Sequence, residues 1–292
     1  MAKAVVNGIT VHYQVKGTGP DVVLVHGITS CLAQWYLEIL PALAARHRVT
    51  AYDLRGHGLS DVTPSGYTSG ALACDLLALL DHLEIERACL VGHSFGGAVA
   101  LHVALMQPAR IRAVALLDVG LPCLRHLREL ADWEGWQTHG RALAPFGITL
   151  DRLLEIDSRE DVSEFIKLSL AVPFQSGLRK GLTPMTPRLR RLLEETRVGS
   201  EFREIDGLTE ERLASIETPV LAVYGGVSPY RKMAEHLSRL LPRCRHELIA
   251  GTDHFYAVED PALVVARVSP FLADPGMFVP ARSLPPVEQP AL

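Results

Sequence analysis

One stretch of the sequence combines a serine with the glycines that a sharp turn requires. Gly92-His93-Ser94-Phe95-Gly96 follows an apolar run, Ala88 to Val91, and precedes a second run that begins at Ala98. A Gly-x-Ser-x-Gly pattern between a strand and a helix places the serine at the apex of a strained turn, where its hydroxyl is exposed. The glycines are needed because strand and helix crowd together there. We therefore expect Ser94 to be a nucleophile; the alternative is a tight turn whose serine caps the helix.

A serine that attacks a carbonyl group needs hydrogen-bond donors for the oxyanion that forms. The backbone N–H of Phe95, directly after Ser94, is one candidate. A second apolar run, Asp21 to Val25, ends at His26-Gly27-Ile28-Thr29, where the glycine permits a tight bend that exposes backbone N–H groups. We expect the N–H of Ile28, or that of Thr29, to be the second donor, and His26 to bond loop carbonyls rather than to do chemistry.

These residues must be positioned by strands that alternate with helices. Continuous apolar runs, typical of strands covered on both faces, occur at 21–25, 49–53, 88–91, 111–117 and 219–224, and helical spacing occurs between most of them, for example at 32–44, 69–83 and 233–241. This alternation predicts an α/β fold with a mainly parallel sheet and reactive groups at the carboxyl ends of its strands. Two short strands at 3–6 and 9–15 are predicted to form a hairpin at Asn7-Gly8.

The alternation is interrupted between residues 120 and 214. This segment has no long β run and shows helix-like stretches at 123–132, 149–156, 161–171 and 187–198, so we predict a helical lid inserted into a core made of residues 1–119 and 215–273. Its aromatic residues are expected to form a small core of their own, with some facing a cleft: Trp133, Trp136, Phe146, Phe165 and Phe174. The dense charges between Arg188 and Arg212 are interpreted as a solvated face. The proline-rich residues 274–292 are predicted to be disordered.

The loop after the strand at 49–53 carries several charged groups. Asp53, Arg55 and His57 have the residue types of a catalytic group. The more economical interpretation is an Asp53–Arg55 ion pair that braces a tight, glycine-containing loop.

Composition limits the classes of partner. The 292-residue chain is 48% hydrophobic and 21% charged, with a formal net charge of −4 and thus no basic surface for nucleic acid. No apolar run reaches the roughly 18 residues of a membrane helix, and the first residues lack the apolar region of a signal peptide. We therefore expect a cytoplasmic protein that acts on a small-molecule substrate and has no nucleic-acid or membrane partner. The oligomeric state is left open.

Four motifs in the expected order resemble the α/β-hydrolase superfamily, in particular its capped esterase, lactonase and epoxide-hydrolase-like branch. They are His26-Gly27, residues 53–61, the turn at 92–97, and Gly251 to His254 with Glu259-Asp260-Pro261. The resemblance covers residues 9–119 and 215–273. It implies an α/β-hydrolase fold, Ser94 as the nucleophile and His254, one of twelve histidines, as its base. It also implies that the chain is not closely related to epoxide hydrolases and haloalkane dehalogenases, which carry aspartate at the turn.

The acid that usually orients the histidine is missing from its expected place. In this family it stands three residues after the glycine that ends the penultimate strand, and in this sequence Ser228 is at that position. A neutral hydroxyl cannot offset the charge of an imidazolium. Asp118 is the preferred substitute, because it ends the preceding core strand and neighbouring strands are only about 4.8 Å apart. Asp253, a carboxylate from the lid, and a Ser–His dyad remain alternatives.

The sequence thus predicts a serine hydrolase that cleaves an ester, thioester or lactone through an acyl-enzyme on Ser94. The residues predict no metal site and no organic cofactor. Two other functions stay open: non-hydrolytic chemistry on the same fold, such as a cyclase, lyase or cofactor-free perhydrolase reaction, and a catalytically silent, ligand-binding relative.

Overall fold

Eight strands form the central sheet in a computed structural model of the protein, which describes residues 2–130, 149–161, 163–164 and 186–278. The strands are β1 (Ala2–Val6), β2 (Ile9–Lys16), β3 (Asp21–Val25), β4 (Arg48–Tyr52), β5 (Ala88–His93), β6 (Ile111–Leu117), β7 (Val220–Gly225) and β8 (Cys244–Ile249). Their order in the sheet is β1-β2-β4-β3-β5-β6-β7-β8. The pairs from β4 to β8 are parallel, whereas β1 and β2 pair in the antiparallel direction at one edge. The predicted α/β-hydrolase fold with a mainly parallel sheet is confirmed.

The register of the central strands brings their carboxyl ends together. Val25 of β3 pairs with Gly92 of β5, and His93 of β5 pairs with Leu117 of β6. The loops that follow these strands therefore leave the sheet side by side. β5 and β7 are buried along their whole length, as their continuous apolar sequences predict.

Helices cover both faces of this sheet. In the described residues they are α1 (Ala33–Tyr36), α2 (Ile39–Leu43), α3 (Ser69–His82), α4 (Phe95–Met106), α5 (Leu150–Ser158), α6 (Pro187–Glu195), α7 (Val198–Glu201), α8 (Glu210–Leu213), α9 (Arg231–Leu240), α10 (Tyr256–Glu259), α11 (Pro261–Ala273) and α12 (Pro275–Phe278). One face packs against α3, α4 and α9, and the other packs against α1, α2 and α11. The single helix predicted over 32–44 is instead two short helices, because the chain leaves helical geometry at Glu38.

The segment between β6 and β7 is helical where it is described. A 3₁₀ helix (Pro122–Leu127) leads into the segment, and α5 to α8 follow. Leu189 and Leu192 of α6 form a small apolar cluster with Tyr67 of the core, next to Ile28 of the loop after β3. Most of the helix predicted at 161–171 and all five aromatic residues of the predicted lid core lie outside the described residues. The function of this segment as a lid stays a prediction.

Two predictions near the surface need correction. The charges between Arg188 and Arg212 are not all solvated: the Glu201 side chain is buried and accepts the N–H groups of Gly66 and Tyr67. The predicted disorder from residue 274 is wrong for residues 275–278, where α12 places the Phe278 ring 5.8 Å from that of Phe271. Residues 279–292 lie outside the described part. Among the described helices, none is long and apolar enough to cross a membrane.

Candidate active site

Ser94 occupies a strained turn between β5 and α4. Its φ of 52° and ψ of −127° lie in a region that residues with a side chain rarely adopt. Its N–H bonds the carbonyl of Leu117 at 3.0 Å, which ties the turn to the end of β6. A side chain at Gly96 would put its Cβ 2.3 Å from the carbonyl oxygen of Val25. The neighbouring strands therefore require the glycine that the sequence supplies.

The loop after β3 lies against Ser94. A Cβ on Gly27 would lie 2.9 Å from the Cβ and 3.5 Å from the Oγ of Ser94. Of the two donors expected from this loop, the N–H of Thr29 is already donated to Nε2 of His57 at 3.2 Å. Ile28 is therefore the better candidate. Phe95 is the first residue of α4, where backbone N–H groups have no partner within the helix.

Asp118 ends β6 beside this turn. Its carboxylate is completely buried and accepts the N–H of Gly225 at 2.7 Å and the hydroxyl of Ser228 at 2.6 Å. Nδ1 of His254 lies 2.9 Å from Oδ1 of the same carboxylate. Ser228, at the position where the family usually has its acid, thus donates to the carboxylate that contacts the histidine.

His254 lies on the loop after β8, close to the turn that carries Ser94. Nε2 of His93, the residue before Ser94, donates to the carbonyl of His254 at 3.2 Å, and the two imidazole rings stack with centroids 5.3 Å apart. The Tyr230 ring lies 5.0 Å from the His254 ring on another side. Asp253 accepts the backbone N–H of His254 at 2.6 Å, whereas it is Asp118 that contacts the ring nitrogen. With Nδ1 facing Asp118, Nε2 is the nitrogen left to exchange a proton with a nucleophile.

Comparisons with known proteins agree with the observed fold. A family model described as the alpha/beta hydrolase fold matches residues 20–154. The chain has the α/β-hydrolase fold and is similar to that superfamily over these residues. A hydrolase from Pseudomonas aeruginosa PA01 has a solved structure that is 29% identical, with a TM-score of 0.66 over 93% of this chain and 97% of that one. Est816, described as an N-acyl homoserine lactone degrading enzyme, is 26% identical, with a TM-score of 0.65 over 92% of this chain and 100% of that one.

One expectation about relatives of this α/β-hydrolase chain is wrong. Epoxide hydrolase 3 of Siraitia grosvenorii is 39% identical over 115 residues, which are 39% of this chain and 36% of that protein. The chain is thus similar to epoxide hydrolases over about a third of their length. A different residue at one position of the turn does not justify the expectation of a distant relationship to epoxide hydrolases. Packing, and not the nucleophile, determines the remaining residues of a strand or loop.

Two buried histidines hold the loops of this α/β-hydrolase fold in place. His26 Nδ1 donates to the carbonyl of Gly27 at 2.8 Å, and its Nε2 accepts the N–H of Leu54 at 3.0 Å. These are the loop contacts that the sequence predicts for His26. His57 Nδ1 donates to the carbonyl of Arg55 at 2.7 Å, and burial lowers the pKa of His57 to about 3. Both rings are therefore neutral structural groups at neutral pH.

The predicted Asp53–Arg55 pair does not form. Asp53 contacts Nδ1 of His12 at 2.6 Å, while Arg55 makes two hydrogen bonds, of 2.8 and 2.6 Å, to Asp75 of α3. The chain turns sharply after β4, so the two side chains point to different elements. Each braces the loop, but with a partner distant in sequence.

A cavity of about 380 Å³ lies beside the loop after β3 and not at Ser94 itself. Its walls include Thr29, His57 and the apolar residues Leu189 and Leu192 of α6. Within the residues that the structure describes, no group of three or more His, Cys, Asp or Glu side chains is arranged to hold a metal ion.

Tyr230 and His93 contact His254 but were not predicted from the sequence. His93 stands inside the turn motif, at the position of a variable residue, so the motif gives it no role. Tyr230 follows Pro229 in a loop without periodicity. Only the folded chain brings these two residues to the histidine.

Proposed function

We propose that this protein is a hydrolase that cleaves an ester, a thioester or a lactone through an acyl-enzyme on Ser94. The contact between the buried Asp118 carboxylate and Nδ1 of His254 carries the proposal. It orients Nε2 of an imidazole that is held beside the strained serine turn. A carboxylate in this position fixes the tautomer of the histidine and stabilises the imidazolium that forms.

The proposed reaction has two halves. Nε2 of His254 takes the proton of the Ser94 hydroxyl as Oγ attacks the carbonyl carbon, and the N–H groups of Phe95 and Ile28 bind the oxyanion. The intermediate collapses, and the leaving alkoxide or thiolate takes the proton from His254. Water, deprotonated by His254, then attacks the acyl carbon, and His254 returns that proton to Oγ of Ser94 as the carboxylic acid leaves. Loss of one oxyanion donor would cost about 10² to 10³ in rate.

Epoxide opening is a second candidate, because relatives with 37–39% identity over 115 residues are epoxide hydrolases. The serine argues against it. Attack of a hydroxyl on an epoxide would leave an ether, which water does not cleave under these conditions. Attack on a carbonyl leaves an ester, which the same histidine can hydrolyse.

A fluorophosphonate probe tests the reactivity of the serine. We expect it to label the wild-type protein and Ser30→Ala, a control serine in the neighbouring loop, and not to label Ser94→Ala. A panel of p-nitrophenyl esters, an acyl thioester, a lactone and styrene oxide then identifies the substrate class by initial rates. We expect turnover of acyl compounds and none of the epoxide.

The other outcomes separate the alternatives. Equal labelling of Ser94→Ala, or none in the wild type, would refute the acyl-enzyme and favour a ligand-binding protein. Labelling of Ser94 without turnover of any acyl substrate would favour non-hydrolytic chemistry. Turnover of styrene oxide would favour an epoxide hydrolase.

A further inference from the structure

The contact with Asp118 fixes the candidate base at one atom. Nδ1 of His254 lies 2.9 Å from Oδ1 of that carboxylate. A hydrogen bond at one atom sets a distance but leaves the imidazole free to swing about the contact. Nε2, the nitrogen that must meet the hydroxyl of Ser94, is not held by this bond. Its position therefore depends on the groups that pack against the rest of the ring.

The side chain of Tyr230 packs against the His254 ring. The two ring centroids are 5.0 Å apart, and the ring planes are tilted by 53°. The Tyr230 ring also lies over Gly120, where an added Cβ would stand 2.9 Å from its Cε1. A side chain at position 120 would therefore displace the tyrosine ring. The space left by Gly120 thus admits this ring beside His254.

The backbone of Tyr230 is attached to the acid. Its N–H donates to the hydroxyl of Ser228 at 3.1 Å, and that hydroxyl donates to Oδ1 of Asp118 at 2.6 Å. The carbonyl of Tyr230 accepts the N–H of Met233 at 2.8 Å, where α9 begins. The tyrosine is therefore linked, through one hydroxyl, to the same carboxylate oxygen that contacts His254.

Glu129, in the segment between β6 and β7, holds the residues on both sides of Tyr230. The N–H of Glu129 donates to the carbonyl of Pro229 at 2.9 Å. Its carboxylate contacts Arg231 at 3.1 Å and Lys232 at 2.6 Å. One residue of the segment thus binds the chain immediately before and immediately after the tyrosine.

Arg128, in the same segment, contacts the tyrosine side chain. Its guanidinium lies 6.0 Å from the centroid of the Tyr230 ring and shares a hydrogen bond with that side chain. The guanidinium is itself paired with Asp157 of α5 at 2.5 Å. The hydroxyl of Tyr230 therefore has its partner in the segment, whereas the contact with His254 is made by the ring.

We infer that Tyr230 is a positioning residue for His254, and that Arg128 and Glu129 hold it against the imidazole. The inference rests on the proposed function, in which Nε2 of His254 exchanges a proton with Ser94. A misplacement of about 1 Å near the reacting groups can cost about 10²-fold in rate, so a ring that limits the swing of the imidazole acts on kcat. Through this contact, residues 128 and 129 affect the chemical step itself.

Hydrolysis of p-nitrophenyl butyrate by the full-length protein tests the inference. We expect Tyr230→Leu to lower kcat about ten- to a hundredfold and to leave KM almost unchanged, because the imidazole gains freedom to swing. Tyr230→Phe keeps the ring and should retain most of the wild-type kcat. Gly120→Ala keeps the tyrosine but displaces its ring, and should also lower kcat. The control Tyr13→Leu removes a ring 6.2 Å from that of His82 and should leave kcat unchanged.

The contribution of the segment is tested by Arg128→Gln and Glu129→Gln. Each variant removes the charge that holds Tyr230 or its neighbours but keeps the tyrosine. We expect each to lower kcat less than Tyr230→Leu does, and to leave KM unchanged. A wild-type kcat in both variants would overturn the role assigned to the segment.

NMR spectra of the protein with ¹⁵N-labelled histidine separate this inference from the proposed function. His254→Gln identifies the signals of His254 by their absence. We expect one tautomer, with the proton on Nδ1, and narrow lines in the wild type and Tyr230→Phe. Tyr230→Leu and Gly120→Ala should broaden these lines, because the ring exchanges between positions on the microsecond to millisecond timescale. Such broadening would support the inference even if no ester were hydrolysed.

Three results would overturn the inference. The first is a Tyr230→Leu protein with wild-type kcat and unchanged His254 signals. The second is a loss confined to KM, which would make Tyr230 a substrate contact. The third is an equal loss of kcat in Tyr230→Phe and Tyr230→Leu, which would assign the effect to the hydroxyl. If thermal unfolding shows that Tyr230→Leu does not fold, the His254 signals of Gly120→Ala decide: unchanged lines refute the inference.

Discussion

The protein contains two aspartate–histidine pairs that resemble each other closely. Asp118 follows β6 and contacts Nδ1 of His254 at 2.9 Å; Asp53 follows β4 and contacts Nδ1 of His12 at 2.6 Å. Each carboxylate is buried and accepts two further hydrogen bonds. For Asp53 the donors are the N–H groups of Leu32 and Leu59.

The two pairs differ in what surrounds the second ring nitrogen. Nε2 of His12 is buried in the sheet without a hydrogen-bond partner in the described residues. The serine next to it, Ser60, accepts the N–H of His12 at 2.9 Å and donates to the carbonyl of Asp53 at 2.7 Å, so its hydroxyl is fully used. The side chain of His254 is 14% exposed and lies beside the strained turn of Ser94. The accessible second nitrogen beside the serine turn therefore distinguishes the pair proposed for catalysis from the pair buried in the sheet.

The largest expected effect comes from replacing the aspartate of each pair by asparagine, which removes the charge of its carboxylate. We expect Asp118→Asn to lower kcat about 10⁴-fold, because the histidine loses its orientation and the counter-charge for its cation. Asp53→Asn should change kcat little but lower the free energy of unfolding by about 1–3 kcal/mol, because buried charged hydrogen bonds are lost. Ester hydrolysis and urea unfolding of both variants measure the two effects.

The comparison fails if the two variants behave alike. An Asp118→Asn protein that keeps more than a tenth of the wild-type rate would rule out Asp118 as the acid. A large loss of kcat in a folded Asp53→Asn protein would give the second pair a part in catalysis.

A smaller effect is expected from the hydroxyl that supports Asp118. Ser228→Ala removes the 2.6 Å hydrogen bond to the carboxylate but leaves the bond from the N–H of Gly225. We expect kcat to fall about tenfold, because one hydrogen bond to a charged group is lost. Ser228→Thr keeps the hydroxyl and should restore most of the rate. If Ser228→Ala retains the wild-type kcat, Asp118 needs no support from this position.

The smallest effect concerns two buried, neutral histidines, His93 beside the Asp118–His254 pair and His57 beside the Asp53–His12 pair. Burial, together with the charge of His254, lowers the pKa of His93 to about 3. Burial and the charge of His26 lower the pKa of His57 to about 3. The unfolded chain titrates these groups near 6.5 and binds more protons below that pH. The free energy of unfolding should therefore fall as pH decreases from 6.5 towards 3, by up to about 1.4 kcal/mol per pH unit for each histidine.

Urea unfolding between pH 7 and 4.5 measures this slope. We expect His93→Gln and His57→Gln each to reduce the slope of the free energy of unfolding against pH by the contribution of about one bound proton. The double variant should reduce it by the contribution of about two. An unchanged slope in His93→Gln would show that this histidine does not stay neutral in the folded protein.

The arrangement of strands could be predicted from the sequence because a short, continuous apolar run has few alternatives to a buried strand. β6 was predicted with its observed bounds, and the adjacency of β6 and β7 is what made Asp118 a candidate acid. The contact of Asp118 with His254 now agrees with that hypothesis, whose catalytic part awaits the variants above.

Pairings of charged side chains could not be predicted in the same way. The sequence favoured Asp53 with Arg55, two residues apart, but the chain turns between them and each finds a partner from another element. The sequence predicts a solvated face for Arg203, but its side chain is buried against Asp157, 46 residues away. Such contacts depend on which distant segments pack together, and the local spacing of charged residues does not indicate this.

The parallel pairing of β6 and β7 limits how this fold can be re-engineered. β6 finishes at the end of the sheet that carries Ser94, whereas β7 starts at the opposite end, so the intervening chain must travel back across the sheet. A chimera that exchanges residues 120–214 therefore has to retain a crossover of about a dozen residues as well as the new insert. Grafts that join the ends of β6 and β7 by a tight hairpin would reverse a strand and separate Asp118 from Gly225.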